Sequence, residues 1–98
     1  MKNIFFLKHN VGYETLKCSI NHKLTIDLVV INDQNKKEDW FKNIISICKK
    51  NKLSLHITHN INRDKKFLSK IKNFKSMLGI SVYYTEIFTK IFLTYFDC

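Results

Sequence analysis

Ninety-eight residues suffice for one domain, one that buries about 60–65% of its unfolded surface, and a content of 45% hydrophobic and 13% aromatic residues excludes a disordered chain. No apolar run approaches the roughly 20 residues needed to span a bilayer, so no membrane role is expected. A net charge of +9 points to anionic partners in general. Arg63 is the only arginine among the 17 basic residues, so a single guanidinium fork is on offer for phosphate or guanine. Asn and Ile are also abundant, as in an AT-biased genome, and charge alone speaks against a dedicated nucleic-acid role.

The chain opens on Ile4-Phe5-Phe6-Leu7, an apolar patch too short for a signal peptide and better read as a first buried strand, which places the protein in the cytoplasm. A short linker with His9, Asn10 and Gly12 leads into a helix with Tyr13, Leu16 and Ile20 on one face. Residues 26–31, IDLVVI, are nearly continuous in apolar side chains, as in a strand covered on both faces. The turn cluster Asn32-Asp33-Gln34-Asn35 follows. From 38 to 51 the spacing of Trp40, Phe41, Ile44, Ile45 and Cys48 predicts a helix, with acids in its first turn and lysines at its end to complement the dipole. Residues 53–58, LSLHIT, alternate with period two and predict a third strand. A helix is expected over 64–74, facing inward with Phe67, Leu68, Ile71 and Phe74, and a fourth strand over 78–83. Four strands alternating with three helices on short connections predict a Rossmann-like three-layer α/β domain, with parallel strands and crossover helices. Ligands in such sheets bind beyond the carboxyl ends of the strands, which directs attention to 8–12, 32–34, 59–62 and 83–88.

The first of these loops has one glycine where a dinucleotide fingerprint needs G-x-G-x-x-G, which speaks against an NAD site. His9 and Asn10 face the cleft region as weak substrate-cleft candidates, the plainer reading being a polar loop that caps the helix. His56 and His59 stand three apart on a strand, face opposite sides, and have no nearby acid or thiol to complete a metal set. No metal site is expected. No elbow motif surrounds any serine. Cys18, Cys48 and Cys98 show neither a C-x-x-C pair nor a close histidine; they read as reduced thiols, with Cys18 and Cys48 filling the core. Arg63-Asp64-Lys65-Lys66, with Lys70 and Lys72, is most simply the wet face of the third helix. In Tyr83-Tyr84-Thr85-Glu86-Ile87-Phe88 two aromatics precede an acid at a helix start, a place where a flat heteroaromatic ligand could lie. On the residues alone, that reading and a tyrosine-ended core strand stand level.

The stretch from Ile4 to Gly12, the second strand with its Asn32-Asp33 turn, and above all Ser81-Val82-Tyr83-Tyr84-Thr85-Glu86-Ile87-Phe88 resemble the amino-terminal half of the formyltransferase fold. The nearest likeness is to the sugar N-formyltransferases of the UDP-4-amino-4-deoxyarabinose type, with methionyl-tRNA formyltransferase more distant. The resemblance covers the whole chain in element order, with the S-x-Y-Y-x-x-[IL]-[IF] stretch its most specific part. It implies contact of Glu86, Ile87 and Phe88, with Tyr84 beside them, to 10-formyltetrahydrofolate as formyl donor. It also implies an acceptor that is a nucleotide-linked amino sugar of surface-polysaccharide biosynthesis.

In that family a substrate amine attacks the donor's formyl carbon, which requires a base for the amine proton and donors for the oxyanion. An Asn-x-His motif and a later Asp serve those needs, and neither is present in these 98 residues. His9, His56 and His59 occupy other loops and do not replace it. Ser76-Met77 stands where relatives commonly carry Pro-Asp, a change of turn only. The sequence is thus expected to be the front portion of such an enzyme, apparently incomplete and inactive alone, with a sheet edge open to self-association. A fragment of a tRNA-directed formyltransferase and a non-catalytic folate- or partner-binding module are the alternatives.

Overall fold

A computed structural model of the chain describes residues 2–84. Four strands and three α-helices follow in order: β1 (Lys2–Leu7), α1 (His9–Asn21), β2 (Leu28–Asn32), α2 (Asp39–Lys50), β3 (Leu55–Thr58), α3 (Lys65–Ile71) and β4 (Met77–Val82). Short 3-10 turns at Asp33–Asn35 and Ile61–Arg63 follow β2 and β3. The strands form one sheet in the order β3-β2-β1-β4, and every pairing is parallel. This is the Rossmann-like α/β arrangement that the alternation of elements predicts.

The element ends differ from the expected ones for identifiable reasons. The second strand starts at Leu28, not residue 26, because the Asp27 carboxylate accepts from the Asn3 backbone N–H at 2.7 Å while the Asp27 N–H donates to the Asn3 carbonyl at 2.9 Å. A side chain takes the bond that a ladder would have used. The third strand starts at Leu55 because Leu53 belongs to the cap of α2: its N–H reaches back to the Cys48 carbonyl, and that of Lys52 to Lys49. This paired bonding is the Schellman closure of a helix. α3 is shorter than expected, with Asp64 outside it as the N-cap. The fourth strand ends at Val82 because Tyr83 turns to φ 55°, which no strand accommodates.

Successive strand residues point to opposite faces, and both faces are covered. Phe5, Leu7, Val29 and Ile31 meet Leu16 of α1 and Trp40, Phe41, Ile44 and Cys48 of α2. Ile4, Phe6, Leu28 and Val30 meet Phe67 and Ile71 of α3, with Ile61 and Met77. A strand clothed on both sides has no polar face to show, which is why IFFL and LVVI read as unbroken apolar runs. Each such side chain, fully buried, contributes on the order of 1.5–3 kcal/mol. From β1 to β3 the chain moves across the sheet in one direction with its helices on one face; it then crosses back to β4 over the other face. All three crossovers therefore share one hand, as parallel units do.

Gly12 sits where α1 leaves the end of β1. A Cβ there would stand 3.1 Å from the Leu7 Cβ, so the helix packs on the strand closely enough that any side chain would crowd Leu7. That is the packing function of a single glycine behind a first strand. Cys48 is buried, and burial pushes its thiol up to about 11. Cys18 is a correction: it lies exposed on the outer face of α1, not in the core. Cys98 lies outside the described residues.

Candidate functional site at the carboxyl edge of the sheet

The order β3-β2-β1-β4 makes β1 and β4 neighbours whose helical connections lie on opposite faces. The chain leaves β1 over the α1 face and reaches β4 from the α3 face, so a crevice opens beyond their carboxyl ends. Ligands of open α/β sheets bind at such a switch point.

Among the described residues, four non-glycine residues have positive φ: His9 (64°), Lys23 (58°), Lys52 (56°) and Tyr83 (55°). Lys23 and Lys52 have an ordinary cause. Each follows a helix C-cap, and the bonds of Lys23 to Ile20, Leu24 to Ser19, Lys52 to Lys49 and Leu53 to Cys48 are those of Schellman closures. His9 and Tyr83 close no helix. They stand one residue or two beyond β1 and β4, on the two sides of the crevice, and are locked together by the Lys8 N–H donating to the Val82 carbonyl at 3.1 Å. A left-handed backbone at a bulky residue costs on the order of 1–3 kcal/mol and persists only where the surroundings enforce it, which is commonly at functional sites.

The side chains at this place are flat. The His9 ring lies 6.3 Å from Tyr83 and 5.9 Å from Trp40, and Trp40 lies 6.0 Å from Phe41. His9 is exposed and Tyr83 is 66% exposed, while Trp40 beneath them is buried. Tyr84 goes the other way: half-buried, its ring meets Phe6 edge-on at 5.6 Å on the α3 side of the sheet. The two tyrosines that stand together in the sequence therefore serve different layers. Asn10 parts from His9 in the same manner, because adjacent helix residues project about 100° apart. It lines an open groove of about 550 Å³ along the outer face of α1, with Val11, Glu14, Cys18, His22 and Leu24 among the other lining residues. Glu86, Ile87 and Phe88 lie outside the described residues.

Further along the edge, Asn32 ends β2 nine-tenths buried. Its side chain accepts from the Gln34 N–H at 2.8 Å and donates to the His59 carbonyl at 3.2 Å, tying the β2 and β3 loops together. Asp33 accepts from His59 Nδ1 at 3.1 Å in an exposed pair. His56 faces inward, on the α3 side. No acid lies close to His56 in sequence, but the fold brings one to it: Asp64, eight residues on, accepts from its Nε2 at 2.7 Å, from Thr58 Oγ1 at 2.5 Å and from the Phe67 N–H at 2.9 Å. A carboxylate can only accept, so the His56 proton sits on Nε2. Burial by itself raises the Asp64 carboxyl, but the bonds from Thr58, His56 and Phe67 outweigh it and hold the group at about 2.

The sequence presents Asp64 as one charge in a wet basic run, whereas the structure turns its carboxylate inward onto His56, Thr58 and the Phe67 N–H. Its signal was available: an Asp just before a helix, as N-cap residues stand. Among the described residues no three His, Cys, Asp or Glu side chains converge to hold a metal ion, and no helix is long and apolar enough to cross a membrane. No protein-family model matches the chain, and no curated protein matches it.

Proposed function

We propose that these residues form the donor-binding portion of a formyltransferase of the sugar N-formyltransferase type, working in the cytoplasm in surface-polysaccharide biosynthesis. In this reading 10-formyltetrahydrofolate lies at the carboxyl edge of β1 and β4. The acceptor is the amine of a nucleotide-linked amino sugar. The resemblance of Ser81–Phe88 to the family's folate-binding stretch supports the reading from the sequence side. One structural observation carries it furthest: two left-handed, non-glycine residues, His9 and Tyr83, face each other across the switch-point crevice with their rings exposed and Trp40 beneath.

The described residues suit such a ligand. A pterin is flat, polar at its rim and apolar on its faces, and an edge of exposed aromatic rings offers it stacking surface. Tyr83 and His9 would hold the ring, with Glu86, Ile87 and Phe88 closing the site as the resemblance implies. The bound donor supplies an activated formyl group. The task of the described residues is to seat and orient it.

Calorimetric titration of the folded protein with 5-formyltetrahydrofolate, a stable relative of the donor, tests this. Saturable heat that is lost in Tyr83→Ala is expected. No heat from folded wild-type protein would remove the proposal.

A further inference from the structure

We infer that the outward face of α3 and its flanks, from Arg63 to Lys75, is a docking surface for the phosphate backbone of a duplex nucleic acid, bound without regard to base sequence. The net charge could not decide this; the placement of the charges does. Arg63, Lys65, Lys66, Lys70, Lys72 and Lys75 are all exposed. Phe67, fully buried, and Ile71, 2% exposed, anchor the opposite side of the helix in the core, so the cations are held outward on a fixed support.

The acid in this stretch does not neutralise them. Asp64 spends its oxygens on His56, Thr58 and the Phe67 N–H. Among the described residues, the ion pairs between lysines and acids, Lys2–Asp27 and Lys17–Glu14, lie elsewhere. Among the described residues, Lys70 alone of the six cations has a protein acceptor, the Leu55 carbonyl at 3.4 Å.

Helix stability does not explain the charges either. On α2, Asp39 stands in the first turn and Lys49 and Lys50 in the last, each at the end its charge favours. On α3, Lys65 and Lys66 occupy the first turn, and although the Asp64 carboxylate caps that end through the Phe67 N–H, the dipole opposes the two lysines themselves by about 0.3–1 kcal/mol per charge. A partner that pays in phosphate contacts accounts for what the fold does not.

The chemistry of the face narrows the partner. A membrane surface would want apolar side chains to insert beside the lysines, but the exposed large hydrophobics Val11, Leu24, Ile57 and Tyr83 belong to α1, to the loop after it, to the α1/α2 face of β3 and to the crevice. Single strands are held by stacking on exposed aromatics, whereas Phe67 is buried and Phe74 half-buried under Lys2. Lysine point charges without aromatics suit the backbone of a duplex. The surface lies across the sheet from the His9–Trp40–Tyr83 crevice, so this inference and the donor-site proposal stand or fall separately.

Fluorescence anisotropy with a short duplex of mixed sequence, between about 50 and 200 mM salt, supplies the test. Two variants of equal net charge are compared: Lys65→Gln/Lys66→Gln/Lys72→Gln on α3, and Lys42→Gln/Lys49→Gln/Lys50→Gln on α2, both verified as folded by circular dichroism. The α3 variant should lose at least tenfold in affinity, and its slope of log K against log salt should become shallower by about 2.7, at 0.9 per phosphate contact. The α2 variant should stay within twofold of wild type. Equal losses in both variants, no binding by wild type at low salt, or binding to anionic vesicles but not to duplex would each overturn the inference.

Discussion

Under α1 and α2 the sheet is sealed by an apolar cluster, Phe5, Leu7, Val29 and Ile31 against Leu16, Trp40, Phe41 and Ile44, whereas under α3 the apolar contacts of Phe6 and Val30 share the interior with the bonded His56–Asp64–Thr58 set. Helix length explains the contrast. α1 and α2 have 13 and 12 residues and bury long stripes, while α3 has seven, well below the length at which a helix sustains itself in water. A short helix gains less from burial, and its start is fastened instead by a carboxylate that caps the Phe67 N–H and reaches two side chains of β3. One face is held by shape and the other by a polar clasp, so the two should answer differently to mutation and to acid.

The largest effect is expected on the apolar face. Ile44, fully buried, should cost about 3–4 kcal/mol when cut to Ala, by lost transfer energy and an unfilled cavity. Denaturant unfolding at several pH values would give the same loss at each; a loss that shrank in acid would break the contrast. Next comes Asp64→Asn. The folded-state carboxyl lies near 2 against an unfolded value of 3.8. A depressed folded pKa adds stability above the unfolded pKa, and that stability drains away as pH falls through about 4 towards 2. The shift corresponds to about 2–3 kcal/mol. Asp64→Asn should therefore cost about that much at pH 7 and little near pH 2, while wild type loses stability over this interval. An unchanged acid limb in the variant would mean that the clasp contributes no pH dependence.

Smallest, and opposite in sign, is the effect at the left-handed positions. Lys52→Gly should stabilise by about 0.5–1 kcal/mol, because glycine removes the Cβ penalty at a helix closure. Tyr83→Gly relieves the same strain but forfeits ring contacts, so its melting curve should stay within about 0.5 kcal/mol of wild type while donor binding disappears. Thermal melts with parallel calorimetry would check both, and retained binding in Tyr83→Gly would detach the Tyr83 ring from the site.

Much of the architecture was legible because it rests on local periodicity. The unbroken runs around Phe5 and Val30 announced strands covered twice, and the stripe of Trp40, Ile44 and Cys48 announced a helix. The expected strand and helix ends slipped at Asp27, Leu53 and Asp64 because side chains or helix closures there take bonds that periodicity assigns to ladders and turns. The candidate site was legible as a place and not as a set of partners. Parallel strands put His9, Asn32, His59 and Tyr83 at one edge, but nothing local showed Tyr83 turning towards His9 while Tyr84 turns towards Phe6. Nor could sequence distance show that Asp64 belongs to His56 and Thr58, since that pairing depends on α3 packing across β3. The two helical cysteines were even less legible: Cys18 and Cys48 both lie on helices, and only the helix's rotation decides which is buried.

Backbone amide chemical-shift mapping with 5-formyltetrahydrofolate is the most direct examination of where this molecule receives a ligand. A crevice at the β1–β4 switch point requires perturbations centred on Lys8, His9, Asn10, Val82 and Tyr83, with Arg63 to Lys75 unmoved. Saturable shifts centred anywhere else, or none from a folded sample, would contradict it.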